Sequence, residues 1–161
     1  IETFENSIEE TVLSEDYLED SARALPRARA LISGYDFVGA IEAAQHSIEL
    51  SVKALYLLVG EEPPKEHHAG EAFLKKVVDR LSFADTAEYL KAELGRAMLI
   101  SRMYEWAHTV SVYGYKGLSA SSLIDKKDAE IALGYADEVY STCNLVVDKV
   151  RQKEIAIRQT T

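Results

Sequence analysis

Apolar residues recur every three to four positions along most of this chain, which is the spacing of one face of an α-helix. The clearest run lies between Asp36 and Gly60, and its apolar positions are Ile41, Ala44, Ile48, Val52, Leu55 and Leu58. Asp36 stands where an N-cap belongs, and Gly60 followed by Pro63 and Pro64 supplies a stop. The pattern therefore predicts a long helix over this segment.

Other stretches show the same periodicity. A first helix is predicted from residues 4–13 and 18–32, where Pro26 is expected to introduce a kink. Further helices are predicted over residues 69–81, from Asp85 to Tyr113, and from Asp125, as an N-cap, to Val150. No segment alternates apolar and polar residues for long enough to predict a strand. We therefore expect an all-α, up-and-down bundle of four to five helices.

Length and charge narrow the function. The chain has 161 residues, which we expect to form a single domain over 1–161. Its net charge is −9, but eight acidic residues and no basic ones lie within residues 1–20, an acidic N-terminal segment, and the rest holds 19 acidic and 18 basic side chains. This balance argues against broad coating of nucleic acid, which needs clustered Lys and Arg, and still permits a small phosphate site.

Cysteine content and hydropathy bear on location. Cys143 is the only cysteine, so no internal disulfide can form, which suits the reducing cytoplasm. No long apolar run predicts a membrane-spanning helix, and no basic start followed by an apolar run predicts a secretory signal. We therefore expect a cytoplasmic protein without contact to a membrane.

Two motifs carry a family resemblance. The segment 43–54 reads A-x-x-H-S-x-E-x-x-x-K-A and is followed by a loop that holds Pro-Pro and then a His pair. Arg102 and His108 are separated by five residues in S-R-M-Y-E-W-A-H-T. Together these features resemble the HEPN family of small helical bundles over roughly residues 15–145, and the second matches that family's R-x(4 to 6)-H pattern.

The resemblance implies a chemistry. In this family Arg102 and His108 would be the catalytic residues of metal-independent RNA cleavage in a groove formed across a homodimer, and some members act as toxin components. A neutral His can accept a proton and an Arg can hold a phosphate. Members also pair with a minimal nucleotidyltransferase. The expected ligand is RNA or a nucleotide, with no cofactor and no metal, and the candidate binding residues are Glu49, Lys53, Tyr104, Tyr113 and Lys116.

Alternatives stay open at each of these positions. On a continuous helix Arg102 and His108 would lie about 120° apart. His108 also continues the series 87, 94, 101 at seven-residue steps, which predicts a core histidine, and Val110 stands where members paired with a nucleotidyltransferase often carry Tyr. The module would then be non-catalytic, either a nucleotide- or protein-binding unit or a structural helical dimer.

Each binding residue has a structural alternative. Glu49 and Lys53 have the spacing of a surface ion pair. Aromatic residues such as Tyr104 and Tyr113 could belong to a core or a dimer interface instead of stacking on bases. A solvated charge run is the simpler interpretation of Lys116 and its neighbours. Near the start of the third helix, four side chains could suggest a metal but are more typical of capping groups: Glu66, His67, His68 and Glu71.

Overall fold

Helices make up most of the protein, so the predicted all-α class is confirmed. A computed structural model describes the backbone of residues 2–65, 70 and 72–159, and side chains from Val12 onward. The α-helices are α1 (Glu2–Ser33), α2 (Phe37–Leu58), α3 (Phe73–Lys76), α4 (Leu90–Tyr104), α5 (Ala107–Tyr113), α6 (Ala120–Leu123) and α7 (Lys126–Arg151). The most extensive contacts join α1 to α2 and α2 to α7.

Helices α1 and α2 approach closely through small side chains. The Ser21 hydroxyl donates to the Ser47 carbonyl at 2.8 Å and lies 2.6 Å from the Ser51 hydroxyl, and all three residues are fully buried. Hydroxyl groups that bond across the contact replace larger apolar side chains, so the two backbones can come near each other. Helix α1 also continues through Pro26 instead of ending there.

The predicted second helix is confirmed, both in its apolar face and at its two ends. Every predicted apolar position on α2 is buried. Asp36 caps its start, because its carboxylate accepts a hydrogen bond from the Gly39 amide at 2.9 Å. Gly60 ends the helix with a φ of 75°, and its amide and that of Glu61 donate to the carbonyls of Leu57 and Tyr56. This is a Schellman ending, which needs a residue that tolerates positive φ.

The predicted third helix is largely wrong. Among the described residues, only α3 and a 3₁₀ turn over Val78–Arg80 are helical there. The chain then forms β1 (Leu81–Phe83), which pairs antiparallel with β2 (Ile155–Ile157), so the expectation of no strand was also wrong. A three-residue strand whose partner lies more than seventy positions away leaves no local alternation that a sequence pattern could show.

The fourth predicted helix is broken into pieces. A 3₁₀ turn over Asp85–Ala87 precedes α4, and the helix is interrupted at Glu105 and Trp106 before α5 begins. The predicted loop after Tyr113 is present and is followed by α6. Helix α7 starts at the predicted N-cap Asp125, which shares a reciprocal capping box with Asp128. Its predicted seam is buried from Ala129 to Val146, as residues 129, 132, 136, 139, 143 and 146.

Candidate functional site

The interruption between α4 and α5 changes which residues face the core. The Glu105 amide donates to the Arg102 carbonyl at 3.4 Å, which is an i, i+3 bond of the 3₁₀ type. Leu94 and Ser101 are buried on α4, but beyond the interruption Ala107 takes the core position and His108 is exposed. The interpretation of His108 as a core histidine is therefore wrong, because the helix does not continue in the same register.

Arg102 is positioned at the last turn of α4. Its side chain is exposed, and Gly70, from the loop between α2 and α3, is buried against it. A Cβ built on Gly70 would lie 2.8 Å from the Arg102 Cγ and 3.2 Å from the Ser101 Oγ, so only glycine permits this approach. The loop backbone thus borders the stem of the arginine. The pattern of apolar and polar residues gives Gly70 no role.

Glu105, between the two candidate catalytic residues, faces helix α2. Burial raises the pKa of Tyr56 to about 12, and the carboxylates of Glu105 and Glu61 add to that rise. Tyr56 is fully buried, and its ring lies 6.1 Å from the ring of Phe73. Glu105 is half-buried and its Oε1 atom is buried, while Arg102 and His108 lie at the surface.

Glu49 and Lys53 form a partly buried ion pair on α2. The Lys53 Nζ donates to Glu49 Oε1 at 2.6 Å, and the two side chains are only 13% and 11% exposed. The Gln45 amide donates to Glu49 Oε2 at 3.0 Å. Their suggested role beside a nucleotide stays a prediction. Both side chains already have hydrogen-bond partners within α2.

The remaining predicted binding residues lie in different surroundings. Tyr104 is half-buried, with its ring 6.1 Å from that of Tyr135 on α7. Tyr113 is the last residue of α5 and is 81% exposed. Lys116, at a φ of 48° in the following turn, holds its Nζ 5.3 Å from the centre of the Tyr115 ring. Tyr113 and Lys116 are thus at the surface, whereas Tyr104 faces inward.

Tyr104 lines a cavity of about 570 Å³ between α2, the end of α4, α5, α6 and the start of α7. Its walls include Ile41, Trp106, Ser111 and Asp128. Arg102 and His108 are not among the described residues that line it. The cavity thus adjoins the two candidate catalytic residues through Met103 and Ala107 without including them. The sequence pattern could not reveal it, because its walls come from distant segments.

Exposed apolar side chains run along α4 and α5 beside Arg102. Leu99 is 58% exposed, Met103 51% and Trp106 57%, and Tyr113 continues the series on α5. Leu99 and Met103 are four residues apart and share one side of α4, whereas Trp106 lies in the interruption and Tyr113 at the end of α5. Exposed apolar patches are typical of interaction sites. We refer to Leu99, Met103, Trp106 and Tyr113 as the apolar ridge.

Within the described ranges no three His, Cys, Asp or Glu side chains come together as metal ligands. Glu66, His67, His68 and Glu71 lie outside the described residues. No described helix is long and apolar enough to cross a lipid bilayer.

Comparisons with known proteins agree with this architecture. The HEPN domain profile matches residues 14–146. The fold is similar to the crystal structure of TT1696 from Thermus thermophilus, with a TM-score of 0.64 and 20% sequence identity over 82% of this chain and 96% of that one. At that identity the likeness concerns the fold alone. No curated protein sequence matches.

Proposed function

The chain belongs to the HEPN domain family, and on that premise we propose that it is a metal-independent endoribonuclease whose reacting groups are Arg102 and His108. The observation that carries the proposal is the interruption at Glu105 and Trp106. It frees His108 from the core and leaves both side chains exposed on either side of one helix junction. If Arg102 and His108 had only structural roles, the shift in helix register between α4 and α5 would not be needed.

The chemistry follows from the two side chains. The Arg102 guanidinium holds the scissile phosphate and stabilises its developing negative charge. The His108 imidazole takes the proton from the ribose 2′-hydroxyl, and the 2′-oxygen attacks phosphorus. The bond to the 5′-oxygen of the next nucleotide breaks, and this oxygen takes a proton from an imidazolium or from water. The products are a 2′,3′-cyclic phosphate and a 5′-hydroxyl.

A homodimer completes the site in this proposal. The apolar ridge flanks Arg102, so a two-fold pairing over it would bring two arginines to one groove. Lys116, which is exposed, would contact RNA beyond the cleaved nucleotide, whereas Tyr113, as part of the ridge, would be covered by the pairing. The remaining binding candidates would contribute less, since they are half-buried or already bonded: Glu49, Lys53 and Tyr104. A role as a toxin component would follow from cleavage of cellular RNA.

RNA cleavage in EDTA tests the proposal. We expect the purified protein to cut RNA and leave a cyclic phosphate end. His108→Ala and Arg102→Ala should each lower the rate by about 100-fold or more, since a general base alone contributes about 10²–10⁴-fold. Lys91→Ala removes another exposed cation of α4 and should leave the rate unchanged. Equal rates for His108→Ala and the parent would contradict the assignment.

The apolar ridge also supports a second candidate function. A non-catalytic module could present Leu99, Met103 and Trp106 to a partner such as a nucleotidyltransferase, or bind a nucleotide without turning it over. Co-purification with neighbouring gene products and titration with a nucleotide panel would show binding and no RNA cleavage. If the protein binds neither a partner nor a nucleotide, this candidate function is refuted, whatever the result for RNA cleavage.

A further inference from the structure

The cavity between α2, α5, α6 and α7 is large enough for a small-molecule ligand. Its volume of about 570 Å³ lies within the range of about 300–1,000 Å³ that is usual for ligand pockets. Much of its wall is aliphatic and includes Ile41 from α2 and Ile131 from α7. The occupant must therefore have an apolar body.

Aromatic rings and one carboxylate define the polar character of the cavity. Tyr104, Trp106 and Tyr115 contribute three aromatic rings to its lining. Among the described residues that line it, Asp128 is the only charged one. Aromatic faces and a carboxylate both attract a positive charge, and none of the described lining residues is cationic. Lys116 Nζ lies 5.3 Å from the centre of the Tyr115 ring, next to this lining. The exposed Asp128 carboxylate favours an ammonium group over a phosphate or a carboxylate.

We propose that this cavity binds a small organic amine that carries an apolar aromatic or aliphatic body. The ammonium group lies against the Asp128 carboxylate and the neighbouring rings, and the body fills the space between Ile41 and Ile131. Arg102 and His108 are not among its lining residues, but Met103 and Trp106 belong both to the lining and to the apolar ridge.

Two further observations support a polar head group at this position. Ser111 is only 7% exposed. Its buried hydroxyl group has no hydrogen-bond partner among the described residues. A buried hydroxyl without a partner is costly, and a ligand N–H can supply the missing bond. Asp128 Oδ2 accepts the Asp125 amide at 3.0 Å, which leaves further acceptor positions on the same carboxylate.

Asp128, on α7, and the aromatic rings line the same cavity. Burial raises the pKa of the Tyr104 hydroxyl, with Tyr135 and then Asp128 as further causes. Both residues line the cavity, so an ammonium group bound there would meet the Asp128 carboxylate and the Tyr104 ring.

Trp106 provides the measurement, because it is the only tryptophan of the chain and lines the cavity. Its fluorescence is titrated with three phenyl probes of equal shape: 4-phenylbutylamine, 4-phenylbutanol and 4-phenylbutanoate. The amine should bind about fivefold or more tightly than the alcohol, and the carboxylate least. Isothermal calorimetry repeats the ranking without the fluorophore. Carboxylate binding as tight as that of the amine would overturn the proposal.

Two variants connect the binding to this cavity. Asp128→Asn removes the charge and should abolish the preference for amine over alcohol, whereas Glu130→Gln, an exposed α7 carboxylate outside the lining, should keep it. If Asp128→Asn weakens the helix cap, Val110→Phe is the second variant, since its ring enters the cavity and should block all three probes. An unchanged preference in a folded Asp128→Asn protein, or no binding of the amine below about 1 mM, would refute the site.

Discussion

Gly70 lies against Arg102 so closely that a methyl group at position 70 would fall 2.8 Å from the arginine Cγ. Gly70→Ala should therefore push the guanidinium or the loop away from its present place. Since small displacements of a reacting group are costly, we expect RNA cleavage to fall by about 10-fold or more. The rate, measured beside helix content from circular dichroism, should fall without loss of helix. An unchanged rate would show that Arg102 needs no such positioning.

Gly134→Ala is the matched control on α7. No atom lies within 4 Å of a Cβ built at position 134, so the added methyl group meets open space. Alanine in an exposed helix should stabilise the protein by about 0.5–1 kcal/mol relative to glycine. Urea unfolding should show a higher midpoint and the cleavage rate should be that of the parent. A destabilised Gly134→Ala would mean that this side of α7 is covered.

The serine contact between α1 and α2 predicts a large effect from a small change. Ser21→Val adds a branched side chain where Ser21 is fully buried and removes its bond to Ser47. We expect a loss of about 1–3 kcal/mol in the free energy of unfolding. The exposed Ser121→Val should change it by less than about 0.5 kcal/mol. Equal free energies for the two variants would contradict the close approach of these helices.

The apolar ridge predicts the assembly. The double variant Leu99→Glu with Met103→Glu places two charges on surface that the proposed homodimer would bury. Sedimentation at micromolar concentration should show a dimer for the parent and a monomer for the variant. Tyr35→Glu, at a site 81% exposed in the turn between α1 and α2, should remain a dimer. A parent that sediments as a monomer would remove the ridge as the interface between copies.

Acid should weaken the connection between α7 and β2. Lys149 Nζ donates to Glu154 Oε2 at 2.9 Å, and this bond lowers the pKa of Glu154 below the ordinary value of 4.5. A carboxyl group with a lowered folded pKa contributes stability above the unfolded value, and the contribution is lost as the pH falls through the folded pKa.

The variant Glu154→Gln isolates this effect. Its free energy of unfolding should be lower than that of the parent at pH 7, and the difference should shrink below about pH 4.5. Glu130→Gln changes an exposed carboxylate of α7 and provides the control. A difference that is constant from pH 7 to pH 3 would show that the Lys149 bond does not determine the Glu154 titration.

Local signals in the sequence predicted the long helices well. Asp36, Gly60 and Asp125 act through hydrogen bonds with residues one turn away, and the apolar stripe of α2 is buried as its spacing required. The short strands and the broken third helix could not be predicted in this way. Leu81 pairs with Ile157, and such long-range contacts leave no periodic pattern in so few residues.

The candidate site was only partly predictable. The residue types and spacing of Arg102 and His108 were visible in the sequence. The exposure of His108, however, depends on the interruption between α4 and α5, where the sequence has no Gly or Pro to predict it. The approach of Gly70 to Arg102 depends on a loop from another part of the fold. The cavity wall, which includes Ile41 and Ile131, likewise forms only when α2 and α7 come together.

The most direct measurement uses an RNA that carries a single 2′-deoxy nucleotide at a cleaved position, incubated in EDTA with the parent protein and with His108→Ala. If His108 activates the ribose hydroxyl, the parent should cut the all-ribose RNA, stop cutting at the deoxy position and continue at other positions. His108→Ala should cut either RNA about 100-fold or more slowly than the parent does. Cleavage at the deoxy position, or cleavage by His108→Ala at the parent's rate, would contradict the account.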